Sequence, residues 1–350
     1  MSAPVHDTRS VFEWKLEPTV IIEKTRSIPN NVIEAKTADL YLRNHGDWRD
    51  ELVRDGFAVV KGVISKDKVY EYQLEAFEWM KSFGNDKLDF HNPSTWKTEN
   101  LPPVRVDINT YFCFCVNHER FMWKARMEPG VMGAFEKLWG TDKLLVSFEG
   151  LNVTFPGRTD VPKNLPWPHF DQSPFKRGRH CAQSFISLSN HGPNDGGLVA
   201  YRGSHKLFKE FFDTQVRKSD WDHFNYYQLS ERQLNWFINH GCKEVKVNCE
   251  AGDLVIWDSR TCHWGKEPEE TSQNIRTVLY TCFSPVEFAT QETLAKKKEL
   301  FENWKGTTHW PHTDLVSAVN PQLTTYERKE PLKKPIKTEK LLKLAGALEY

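Results

Sequence analysis

The chain has 350 residues, with 47 basic and 47 acidic side chains, so its formal charge is zero and composition offers no case for a nucleic-acid partner. No apolar run approaches the ~18 residues of a membrane span, and MSAPVHDTRSVFEWKLEP at the start lacks the apolar stretch of a secretion signal. The final Leu348-Glu349-Tyr350 is not a peroxisomal address, so a cytoplasmic protein is expected, and 22 Phe, 13 Trp and 10 Tyr supply a large core despite an apolar fraction of 39%.

Residues 1 to about 36 carry no sustained period, and an N-terminal arm is expected over 1–45. Short helices are predicted between Thr37 and Arg54, with Asp47 as a cap for WRDELVR and Gly56 as the stop. FAVVKGV at 57–63 predicts a strand, and Ser65 opens a helix through about Phe83. A long polar loop follows from Gly84 to Pro103. VDINTYFCFCV then reads as an apolar strand, on which Cys113 and Cys115 would share one face. That pair is a conceivable soft-metal site, but the plainer reading is two small reduced core residues. Helices are predicted over 118–126 and 129–139, ending at Gly140.

Beyond Lys143 the texture changes to short strands separated by Gly, Pro, Asn and Asp: LLVSFEGLNVTF, CAQSFISLS, GLVAYRG, EVKVN, DLVIWD and NIRTVLYTCF. Such a series predicts a β-sandwich or barrel. A helical insertion over about 206–243 interrupts it, and Ser230 with Gln233 fits a capping box there. A last helix is predicted over about 290–304, closing a single domain expected over 46–304. A solvated, Lys- and Pro-rich tail is expected within the extension 305–350.

The pattern His-x-Asp occurs three times, at His45, His169 and His312. Asp47 is better used as a helix cap, and His312 has no histidine after it. His169 and Asp171 precede further strands, one of which ends at His263. On an extended segment, residues i and i+2 leave the same face, so His169 and Asp171 would offer two adjacent ligands to a divalent metal. A third from His263 would complete a 2-His-1-carboxylate facial set with open positions, which suits non-haem Fe(II). Arg276 lies on the inward face of NIRTVLY with Val278 and Tyr280. A buried guanidinium there calls for an anion, and a dicarboxylate would serve. Arg260, three residues before His263, reads as a salt-bridge partner instead.

These residues lie in an order that resembles the phytanoyl-CoA dioxygenase family of Fe(II)- and 2-oxoglutarate-dependent oxygenases. The resemblance spans roughly 48–290: RDGFAVVKGVIS, the His-x-Asp of PWPHFDQSP, DGGLVAYRGSHK, AGDLVIWDSRTCHWG and Arg276. It implies a mainly β fold with flanking helices around a double-stranded β-helix, or jelly-roll, core. It also implies that His169, Asp171 and His263 bind iron and that Arg276 grips the distal carboxylate of 2-oxoglutarate. Gln183 and Asn152 are implied as further co-substrate contacts. The departures are Arg202 where the family has Pro, Leu198 where some relatives carry a polar contact, and Trp167 where some carry Gln.

The implied reaction consumes 2-oxoglutarate and O2, releases succinate and CO2, and hydroxylates an unactivated C–H of a small molecule. The carboxylate at Asp171 points away from halogenation, which needs that position empty, and toward hydroxylation or a related desaturation or ring closure. A barrel serving only as a binding scaffold, or a hydroxylase of protein side chains, are the alternatives. Trp167, Phe170 and Trp264 adjoin the ligands and either line a substrate pocket or pack the barrel. FKRGRH at 175–180 either meets an acidic group or is a solvated loop. TTHWPH at 307–312 is unusual for a tail and is a candidate lid.

Overall fold

Two antiparallel sheets stacked face to face organise the chain. The computed structural model describes residues 32–35, 44–84, 86–105, 107–315 and 328–350. Most of the expected arm, the stretch 36–43 where helix was predicted to begin, and 316–327 of the expected tail lie outside the described residues.

The larger sheet runs, edge to edge, Phe57–Val60, Leu254–Asp258, Ala182–Ser187, Arg276–Tyr280, Leu151–Thr154, Thr110–Tyr111. The smaller runs Tyr227–Gln228, His169–Phe170, His263–Lys266, Gly197–Arg202, Lys243–Lys246. Sequence neighbours repeatedly pair across non-consecutive strands, which gives the jelly-roll crossing between two sheets. The apolar strands read as unbroken runs because both faces are covered: Ala182–Ser187 is buried at every position.

Three layers of apolar packing follow from this. Between the sheets lie Phe185, Leu198, Ala200, Val255, Trp257 and Val278. The outer face of the larger sheet, through Ile186, Leu254 and Ile256, packs on Trp79, Trp123 and Phe135. These come from the helices Lys66–Lys81, Arg120–Arg126 and Pro129–Trp139. The outer face of the smaller sheet, through Phe170, Val199 and Trp264, meets Phe208, Phe211, Phe212 and Phe237. The helices Ser204–Gln215 and Glu231–Asn239 supply that last group.

The local signals act as the sequence suggests. Asp47 accepts from the Arg49 amide and caps Trp48–Asp55, and Gly56 ends that helix at φ 89°. A Cβ on Gly56 would also stand 2.5 Å from Thr261 Oγ1, so the position is closed to other residues twice over. Ser230 and Gln233 form a complete capping box. Helix Pro129–Trp139 ends at Gly140 in the left-handed region, and Gln291–Glu302 starts at Thr290.

Two expectations change. The apolar run VDINTYFCFCV makes only a two-residue strand, Thr110–Tyr111. Asn109, Phe114 and Cys115 take positive φ, and the Val116 and His118 amides close turns onto Cys113 and Cys115. The chain must reverse here to enter the helix that follows, so the two cysteines do not alternate on a strand. The Lys- and Pro-rich tail is not wholly solvated either. Its helix Glu339–Leu344 drives Leu341 and Leu344 into the main core. The lysines lie on the other face, the amphipathic pattern of a docked helix.

Candidate metal centre

His169 and His263 face each other across neighbouring strands, directly in register. Their rings are 4.3 Å apart, centroid to centroid. Asp171 completes the group: its Oδ2 lies 3.4 Å from His169 Nε2 and 3.3 Å from His263 Nε2. All three side chains offer a donor atom within 4.8 Å of the others, and among the described residues no other group of three His, Cys, Asp or Glu does so. The segments around His45 and His312 form no such group. His312 is buried against Phe288 and Trp310 instead.

The imidazoles are oriented for ligation. Nδ1 of His169 lies 3.1 Å from the Trp167 carbonyl, and Nδ1 of His263 lies 2.8 Å from that of Thr261. A carbonyl only accepts, so each Nδ1 carries the proton and donates, leaving Nε2 with its lone pair free toward the centre. Gln183 donates to Asp171 Oδ2 at 3.1 Å and holds the carboxylate in place. Burial pulls the Asp171 carboxyl upward, but His169 and His263 outweigh it and hold the group well below its usual range. Burial, with His263 adding to it against Asp171, lowers His169. Both shifts favour the forms a metal binds: carboxylate and neutral imidazole.

Arg276 opens the next strand of the larger sheet and is buried. It donates to Asn152 Oδ1, and its Nε is buried without a partner. Among the described residues no carboxylate pairs with it. The guanidinium sits 5.3 Å from the Phe185 ring centroid. Gln183, which touches Asp171, and Phe185, whose ring the guanidinium neighbours, are two residues apart and share one face of Ala182–Ser187, so the metal group and the guanidinium lie toward the same face of that strand. Asn152 is held by the Ile108 carbonyl and Thr110 as well as by Arg276, which makes it a support for the guanidinium. Arg260 forms the expected salt bridge, to Asp258 at 2.7 Å.

The aromatic candidates separate. Trp167 is half-buried and stacks on the His169 ring, 4.3 Å between centroids and 5° between planes. Phe170 points the other way, as alternation requires, and is fully buried among Phe208, Phe211, Phe212 and Phe237. Trp264 joins the same packing. The basic loop is neither solvated nor open: Lys176 and Arg177 are buried and paired with Asp314 and Asp213.

Two residues near the centre were missed by sequence reasoning, and a third, His309, lies in the 307–312 segment expected as a candidate lid. Tyr226 lies 5.1 Å from the His169 ring and Trp257 5.5 Å from the His263 ring, by centroids. His309 Nε2 is 3.4 Å from the Asp171 carbonyl. His309 belongs to the 307–312 segment, which Thr307 ties to Phe148 and Trp310 anchors beside Cys181 and Cys282. Tyr226 and His309 come from irregular segments with no periodic signal; only the alternation of LVIWD could have pointed to Trp257.

The family model described as phytanoyl-CoA dioxygenase matches residues 52–278. The chain belongs to the phytanoyl-CoA dioxygenase family. As a member of that family it is a non-haem iron dioxygenase that uses Fe(II) and 2-oxoglutarate. It is 40% identical over 284 residues to "Ava biosynthesis cluster protein O" of Aspergillus versicolor, covering 79% of this chain and 90% of that protein. In fold it is similar to the hypothetical protein JW0805 of Escherichia coli, with a TM-score of 0.56 at 14% identity over 91% of this chain and 85% of the other. It is also similar to GlcNAc Inducible Gene 2 of Candida albicans, with a TM-score of 0.51 at 15% identity over 85% and 80%. Those two likenesses show a shared fold and nothing of substrate. No helix among the described residues is long and apolar enough to cross a membrane.

Proposed function

We propose that this phytanoyl-CoA dioxygenase relative hydroxylates an unactivated C–H of a small organic molecule, with release of succinate and CO2. His169, Asp171 and His263 would hold the iron, and Arg276 the distal carboxylate of 2-oxoglutarate. The observation that carries the reading is the convergence of two Nε2 lone pairs and one carboxylate, with a buried guanidinium nearby that pairs with no carboxylate among the described residues.

Iron bound there would supply the activation of O2, coupled to oxidative decarboxylation of the co-substrate. The chain's own contribution is placement. The carbonyls of Trp167 and Thr261 fix both imidazole tautomers, and Gln183 fixes the carboxylate. Arg276, braced by Asn152, would neutralise the far end of 2-oxoglutarate. Apolar walls at Phe185, Val278 and Leu198 exclude water along the way. A ligating carboxylate at Asp171 occupies the position a halide would need, which favours hydroxylation. The relative's name assigns it to a biosynthesis cluster, which supports a small-molecule substrate for this chain.

The test is succinate release from 2-oxoglutarate, assayed with Fe(II) across small acids, acyl thioesters and peptides. Small-molecule stimulation that disappears in the double variant His169→Ala/Asp171→Ala is expected. Stimulation by peptides alone would favour a protein hydroxylase. No turnover with any partner, and none without, would favour a scaffold.

A further inference from the structure

Two further basic groups, His191 and Lys246, lie within reach of the Arg276 charge. His191 is 1% exposed. Its Nε2 lies 3.2 Å from both Ser187 Oγ and Ser189 Oγ, while its Nδ1 is buried with no partner. The Phe185 ring lies between the two basic groups, 5.7 Å from the His191 ring and 5.3 Å from the Arg276 guanidinium. Lys246 ends the edge strand Lys243–Lys246 and feels the Arg276 charge. Its ammonium reaches only the carbonyls of Gly192 and Val247, at 3.3 and 3.4 Å. Among the described residues no carboxylate pairs with Lys246. Asp195, a carboxylate that acts on it, is engaged by the Gly192 amide at 2.8 Å and the Ser272 hydroxyl at 2.7 Å.

Gly197 ties the two together. A Cβ on it would stand 3.0 Å from Lys246 Nζ and 3.7 Å from His191 Nδ1, so both nitrogens border one small space that a side chain would fill. We propose that His191 and Lys246 join Arg276 in one anion pocket that grips the distal carboxylate of the co-substrate and selects a diacid over a monoacid. The proposal rests on the reading of Arg276 given above and adds two positioning residues that no sequence pattern marks. Burial first, and the Arg276 charge second, lower Lys246 to about 8 and His191 well below its usual value. Basic groups crowded in this way, with no carboxylate paired to them among the described residues, are stabilised by a bound carboxylate.

The experiment is calorimetric titration of the full chain, loaded with redox-inert Zn(II), against 2-oxoglutarate and against 2-oxobutyrate. The two compounds share the chelating end, and only the first has a distal carboxylate. The unaltered protein is expected to prefer 2-oxoglutarate. Lys246→Met and His191→Phe should each cut that preference roughly ten- to a hundredfold through weaker 2-oxoglutarate binding alone. Lys246→Arg should restore part of it, and Gly197→Ala should lower it by filling the space. The ratio within each variant is its own control for folding. An unchanged preference in Lys246→Met and His191→Phe, with Arg276→Met losing it, overturns this proposal and leaves the iron and 2-oxoglutarate reading standing. No preference in the unaltered protein overturns both.

Discussion

Replacing Arg276 by Met separates ligand binding from folding. The guanidinium is buried with one hydrogen bond to Asn152 and an unpartnered Nε. Its desolvation costs several kcal/mol that no carboxylate among the described residues returns. Methionine fills most of the volume, and Asn152 Oδ1 keeps the Thr154 hydroxyl at 3.1 Å. The free variant should therefore match the parent within about 1 kcal/mol or exceed it. Binding behaves oppositely. Losing one partner of a buried charge pair costs about 3–5 kcal/mol, at least a hundredfold in 2-oxoglutarate affinity. At a ligand concentration of ~100 Kd the parent gains about 2.7 kcal/mol, and the variant about 0.4 kcal/mol or less. With an unfolding entropy of ~2 cal/mol/K per residue, those gains become shifts of about 4 °C and under 1 °C in a melting assay with Zn(II). A free variant destabilised by more than ~2 kcal/mol would make Arg276 a structural residue. An undiminished shift would remove it from the co-substrate site.

Gln183→Leu removes the hydrogen bond that holds Asp171; it should weaken Zn(II) or Fe(II) binding about 10–100-fold, read by chelator competition, with little change in melting temperature. Phe170→Ala should cost about 3–5 kcal/mol in denaturant unfolding, because Phe170 is fully buried among four phenylalanines, while substrate KM stays within about twofold. His118 is buried in an aromatic cage, and burial pushes it down to about 3, against 6.5 when exposed. Its contribution is thus complete above pH ~6.5 and is lost as pH falls toward 3. In His118→Phe the fall of stability between pH 6 and 4 should be shallower by up to ~1.4 kcal/mol per pH unit, and an unchanged slope would show that His118 is protonated in the fold.

The parts legible in the sequence were those set by local rules. Asp47, Gly56, Gly140 and the Ser230–Gln233 box marked helix ends because caps act within a few residues. The His-x-Asp of 169–171 was readable because a period of two puts both side chains on one face. The same period turns Phe170 outward, so its adjacency to the ligands says nothing about substrate. What stayed hidden depends on residues far away in the chain. Lys176 and Arg177 look like a solvated loop until Asp314 and Asp213 arrive. His309 reaches Asp171 across 138 positions. Gly197 looks like an ordinary turn glycine until Lys246 and His191 border it. The reversal at Phe114 and Cys115 is hidden for another reason: aromatic and Cys residues rarely take positive φ, and only tertiary packing imposes it.

The central claim is that His169, Asp171 and His263 hold an iron ion to which 2-oxoglutarate chelates. Anaerobic titration with Fe(II) and 2-oxoglutarate, followed by visible absorption, tests it most directly. A metal-to-ligand charge-transfer band is expected that needs both components, saturates at one iron per chain, and is absent from His169→Ala/Asp171→Ala. A band that survives in that double variant, or no band in the unaltered protein, would contradict it.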